Sequence, residues 1–75
     1  MANITKDELN ALIADIYAAD AASITEQTKF TQDLDADSMK RTIFAAELED
    51  LGIEISVAQL VYMETVGDLY KAVGI

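Results

Sequence analysis

The stretch Asp33-Leu34-Asp35-Ala36-Asp37-Ser38-Met39 holds the residues most suited to chemistry in this sequence. A serine directly behind an aspartate at a helix start sets a hydroxyl beside free backbone amides. That setting stabilises an attached anion through hydrogen bonds and the helix dipole. The chain offers no means of turning the hydroxyl into a catalyst. It has no histidine and no cysteine, and no oxyanion-hole motif accompanies Ser38. Ser38 reads as a point that carries something, and the chain is not read as an enzyme. Taken alone, Ser38 is also an ordinary first residue of a helix and Asp37 an ordinary N-cap.

A second chemistry fits the same stretch less well. Asp33, Asp35 and Asp37 repeat as D-x-D-x-D, the opening of a calcium-binding EF-hand loop. Such a loop requires glycine at its sixth position, an apolar residue at its eighth and a bidentate glutamate at its twelfth. Those positions hold Ser38, Lys40 and Phe44. No metal site is expected.

The whole chain limits the function further. With 75 residues, one small domain spanning 1–75 is expected, with little room for a deep active site. A hydrophobic fraction of 52% argues for a folded core despite the charge. The net charge of −9 repels phosphates, so nucleic acid is excluded as a partner and basic protein surfaces are favoured. Without cysteine there is neither a disulfide nor a thiolate metal site. No apolar run is long enough to span a membrane. The N-terminus has no basic segment leading into an apolar one, so no signal peptide is expected. A cytoplasmic monomer is the resulting expectation.

The elements that would position Ser38 are helical. Thr5-Lys6-Asp7-Glu8 is a capping box, with Ile4 and Leu9 at the two staple positions. Leu9, Leu12, Ile13, Ile16 and Tyr17 then follow at helical spacing, predicting a helix from about residue 5 to about residue 18. Residues 19–37 form a long connection in which Ile24, Phe30 and Leu34 anchor the chain to the core. One short helical turn fits inside it. A second helix starts at Asp37 or Ser38 and stops before Gly52. It carries one stripe of Met39, Ile43 and Ala46 and another of Phe44, Leu48 and Leu51. So wide an apolar surface sits between partners or remains partly exposed. Ile53 and Ile55 point inward from a short extended link. Ser56-Val57-Ala58-Gln59 is another capping box, opening a brief third helix through about Met63. Thr65-Val66-Gly67-Asp68 opens the last helix, whose inner face is Val66, Leu69, Tyr70 and Val73. The predicted fold is all-α: a small four-helix bundle with a long loop between the first two helices and a short third helix.

Four segments in this order resemble the acyl carrier protein family. Asp37-Ser38-Met39 is similar to its D-S-L or D-S-M attachment triplet. Phe30-Thr31-Gln32-Asp33-Leu34 resembles the segment leading into that serine. Gly52-Ile53-Glu54-Ile55-Ser56 resembles the link from second to third helix, and Glu64-Thr65-Val66-Gly67-Asp68-Leu69 the start of the fourth. The resemblance extends over about residues 5–73, at family spacing. It implies that Ser38 carries 4′-phosphopantetheine through a phosphodiester, with Asp37 supporting the modification. The arm's thiol would hold acyl groups as thioesters, in fatty acid, polyketide or related lipid biosynthesis. Implied partners are a phosphopantetheinyl transferase and the enzymes that load, transfer or elongate acyl groups. Phe30, Phe44, Leu48, Leu60, Tyr62 and Met63 are candidates for lining an acyl pocket. Met39, Lys40, Arg41, Ile43 and Glu47 are candidates for meeting partners.

Two features depart from the family pattern. The second helix is usually acidic just after the serine, but here Lys40 and Arg41 follow Met39. Either they pair with Asp33 or Asp37, or they change which partners approach. Glu47, Glu49, Asp50 and Glu54 keep the far end acidic. Leu60-Val61-Tyr62-Met63 is more apolar than the family's third helix, fitting core packing, a wider pocket wall or a docking face. Two other readings stand beside the carrier: a helical interaction module without a prosthetic group, and an aminoacyl or peptidyl carrier.

Overall fold

A computed structural model describes residues 4–75. The reading of the N-terminus as lacking a signal peptide includes residues 1–3, which lie outside the described residues. Helix α1 spans Lys6–Tyr17 and opens with the capping box the sequence predicts. The Glu8 N–H donates to Thr5 Oγ1 at 3.1 Å, and the Thr5 N–H donates to Glu8 Oε1 at 3.0 Å. Leu9, Ile13 and Tyr17 bury the inner face, with Ile4 packed partly against the same core. Ala18 ends the helix in the left-handed region at φ 54°, a conformation that costs a residue with a Cβ about 1 kcal/mol.

The long connection is well anchored. It contains one 3₁₀ turn, Ala21–Ser23, and buries Ile24, Phe30 and Leu34 as predicted. Its middle is clasped to the start of the last helix by backbone hydrogen bonds. The Phe30 N–H donates to Glu64 O at 3.0 Å, the Val66 N–H to Thr28 O at 2.9 Å and the Gly67 N–H to Glu26 O at 3.0 Å. Lys29 and Thr65 form an isolated antiparallel bridge within this clasp. Gly67 is required there by space, because a Cβ would stand 2.9 Å from Glu26 O.

Helix α2 spans Ser38–Asp50 and ends in a Schellman turn. The Ile53 N–H donates to Leu48 O at 2.8 Å and the Gly52 N–H to Glu49 O at 2.9 Å, with Gly52 at φ 81°. Glycine takes that φ without a steric penalty. The turn sends Ile53 and Ile55 into the core. Helix α3, Val57–Val61, follows the second predicted capping box and packs on α2. It ends two residues earlier than expected. Helix α4, Val66–Val73, buries Val66, Leu69, Tyr70 and Val73. The Tyr70 hydroxyl donates to Asn10 Oδ1 and so ties α4 to α1.

The two predicted stripes of α2 divide differently from the expectation. Phe44 and Leu48 are fully buried, but Leu51 is 54% exposed. Leu51 caps the helix, where the chain already turns away from the core to let Ile53 enter. Met39 and Ile43 face solvent, as does Ala46.

Candidate functional site

The start of α2 is built by three aspartates, each with a separate backbone task. The Asp33 carboxylate accepts from the Lys29 N–H at 2.7 Å and closes the loop turn. Asp35 holds a left-handed conformation at φ 52°, which aspartate tolerates better than most residues with a Cβ. Asp37 is the N-cap, accepting from the Lys40 N–H at 2.8 Å. The D-x-D-x-D repeat is thus explained by chain geometry.

Ser38 is the first residue of α2, and its side chain is exposed. The amides of Ser38 and Met39 belong to the first turn, where no intrahelical acceptor exists. Asp37 satisfies the amide of the third residue. The phosphate of a phosphodiester fits this arrangement: an exposed oxygen to bond through, N–H donors beside it, and the positive end of a helix dipole.

Lys40 and Arg41 sit in this first turn and are half-buried. The expected pairing of Lys40 with Asp33 or Asp37 is not what forms. Lys40 Nζ donates instead to the backbone carbonyl of Asp35 at 3.2 Å, while the carboxylates of Asp33 and Asp37 each accept a backbone N–H. Behind the site, Tyr17 packs against Phe30 and Phe44, with ring centroids 5.8 and 5.7 Å away. Burial pushes the Tyr17 hydroxyl up to about 12; Arg41 opposes the shift and Asp37 adds to it. The first turn of α2 and the core therefore meet at Tyr17.

The family model of the phosphopantetheine attachment site matches residues 7–73. The chain belongs to the acyl carrier protein family. An acyl carrier protein of Lactobacillus acidophilus is 44% identical over 63 residues, covering 83% of this chain and 79% of its own. Polyketide-8 synthase acyl carrier protein 2 of Streptomyces avermitilis is 29% identical over 69 residues, covering 91% of this chain and 79% of its own. Acyl carrier proteins bear 4′-phosphopantetheine and serve fatty acid or polyketide synthesis, and that role holds for this family member. Among the described residues no helix is long and apolar enough to cross a membrane.

The pocket candidates separate into two groups. Phe30, Phe44, Leu48 and Leu60 are buried together in the core, and Met63 packs against them half-buried. Tyr62, expected as part of the wall, is instead 86% exposed. It follows the end of α3, where the chain leaves the helix on its outer side. Of the partner-facing candidates, Met39, Ile43 and Glu47 are exposed on α2. The clasp between the loop and α4 carries little signal in the sequence. Its one signal was Gly67, a glycine inside a helix, which marks close backbone approach.

Proposed function

We propose that Ser38 is the attachment point and that the chain acts as a carrier rather than a catalyst. The supporting observation is the exposed Ser38 hydroxyl at the first position of α2, beside unpartnered helix amides. A phosphopantetheinyl transferase would join Ser38 Oγ to the phosphorus of coenzyme A's pantetheine arm. The serine proton and the 3′,5′-ADP leave. Asp37 keeps the first turn of α2 formed, so that the hydroxyl and amides stay in register. When attached, the group supplies a thiol that forms thioesters with acyl chains. Loading, transfer or synthase enzymes then act on the thioester while the bundle serves as the handle they recognise.

The pocket reading narrows to Phe30, Phe44, Leu48, Leu60 and Met63. These side chains fill their own space, so an acyl chain enters by spreading α3 from α2. Helix α3 has only five residues and is the element least able to resist such movement. Tyr62 takes no part in this wall.

Thiol titration tests the proposal, because the chain itself has no cysteine. Incubation with coenzyme A, magnesium and a broad-range transferase, followed by removal of small molecules, should give one reactive thiol per chain. Ser38→Ala should give none. A wild-type chain that remains thiol-free would instead favour the interaction module without a prosthetic group.

A further inference from the structure

An open groove of about 390 Å³ runs between α1 and the end of α2, lined by Ile4, Glu8, Ala11, Leu12, Asp15 and Leu51. Glu8, Ala11, Leu12 and Asp15 recur at helical spacing on one side of α1, and Leu9, Ile13 and Tyr17 bury the other. The groove side is incompletely covered. Ile4 and Leu12 are only partly buried, and Leu51 is 54% exposed. Ala11 is exposed and small, so the trough between these larger side chains stays open.

The rim of the groove has one sign of charge. Glu8 and Asp15 are exposed; the Thr5 N–H takes one oxygen of Glu8 and leaves the other free of that bond. Asp50 adjoins Leu51, Glu47 lies one helical turn before it, and both are exposed. Among the described residues no lysine or arginine lines the groove. Lys6 pairs with Glu26 at 3.6 Å and lies over the Tyr70 ring. Lys29 and Lys71 line a separate cleft beside α4. Lys40 and Arg41 sit in the first turn of α2, at its opposite end. All five cations are thus placed elsewhere.

We propose that this groove docks a basic amphipathic helix of a partner protein. Apolar side chains of that helix fill the space among Ile4, Leu12 and Leu51, and its lysines or arginines meet Glu8 and Asp15. Charge complementarity selects the occupant. A second copy of this chain would bring its own charge of −9, and an anionic membrane surface would be repelled in the same way. The spacing suits a helix. Glu8 and Asp15 are seven residues apart, about 10 Å along α1, which matches two turns of a helix lying alongside. The groove is also remote from Ser38, because Leu51 lies about 20 Å further along α2. A partner held here leaves the start of α2 free for a second protein. Docking in the groove goes beyond the carrier reading and does not depend on Ser38 bearing an arm.

The probe is a synthetic helical peptide with leucines along one face and lysines on both flanks. One comparison peptide keeps the leucines and carries glutamate flanks; another keeps the lysines and carries serine in place of leucine. Binding to the full chain is followed by amide chemical shifts. The leucine–lysine peptide should shift the amides from Glu8 to Asp15 and that of Leu51, and bind about tenfold more tightly than either comparison peptide. Ala11→Lys places a long like-charged side chain in the trough and should weaken binding about tenfold. Ala72→Lys makes the same charge change at an exposed position of α4 and should alter binding less than about twofold. Ser38→Ala should bind as wild type does, so failure of the attachment reading leaves this result intact. Shifts centred on any other surface, Met39 and Ile43 included, would overturn the proposal. So would equal losses in Ala11→Lys and Ala72→Lys, or equally tight binding of the lysine–serine peptide, which would reveal charge attraction alone.

Discussion

Helices α2 and α4 begin alike and diverge three residues later. Each has an oxygen-bearing N-cap, Asp37 or Thr65, that accepts the N–H of the third helical residue. In α4 that residue is Asp68, whose carboxylate accepts from the Glu64 N–H at 3.0 Å and the Thr65 N–H at 3.2 Å. In α2 it is Lys40, which can accept nothing. One start is closed on itself and clasped to the loop through Gly67. The other keeps its amides and hydroxyl open to solvent. This small fold concentrates stability at the start of α4 and leaves a surface free for chemistry at the start of α2.

The largest expected effect comes from breaking the closed start. Gly67→Ala should cost about 2 kcal/mol, since its Cβ cannot fit against Glu26 O without moving the loop. Chemical denaturation of the variant measures this loss. An unchanged midpoint would mean that the clasp is not tight. Thr65→Ala should cost about 1 kcal/mol by removing the α4 cap.

The open start should respond in the opposite direction. Lys40→Glu should stabilise the fold by about 0.5 kcal/mol, as it restores an acceptor and suits the dipole. A destabilised Lys40→Glu variant would show that the Lys40 contact with Asp35 O outweighs the dipole.

Titration gives subtler contrasts. Hydrogen bonds from the Thr65 and Glu64 amides hold the Asp68 carboxyl below its usual value. Its contribution is therefore present above the ordinary carboxylate range and is lost as pH falls through the lowered value. Acid unfolding of Asp68→Ala should show a flatter pH dependence than wild type. Tyr17 works at the other extreme. Its raised value favours the folded state fully below pH about 10, and that contribution disappears as pH rises towards about 12. Tyr17→Phe, which keeps the ring, should remove that alkaline slope in denaturation midpoints.

Much of this contrast was legible in the sequence wherever side chains did the work. The boxes at Thr5 and Ser56 follow from residue type and spacing, and so do the anchors Ile24, Phe30 and Leu34. The clasp between the loop and α4 was not legible, because it is made of backbone hydrogen bonds that any residue can supply. Leu51 and Tyr62 were misplaced for a related reason. Both lie at helix ends, where periodicity no longer says which way a side chain faces. Lys40 and Arg41 stand out in the sequence, but the Asp35 carbonyl that Lys40 reaches does not. Residue type alone does not reveal that the Asp33 and Asp37 carboxylates each hold a backbone amide.

The open start of α2 is the proposed site of an arm on Ser38. Tandem mass spectrometry of the protein after reaction with coenzyme A and a transferase tests it most directly. One phosphopantetheine per chain is expected, located on the peptide fragment containing Ser38 and absent from Ser38→Ala. A modification located on any other residue, or an unmodified chain under conditions that load a known acyl carrier, would contradict it.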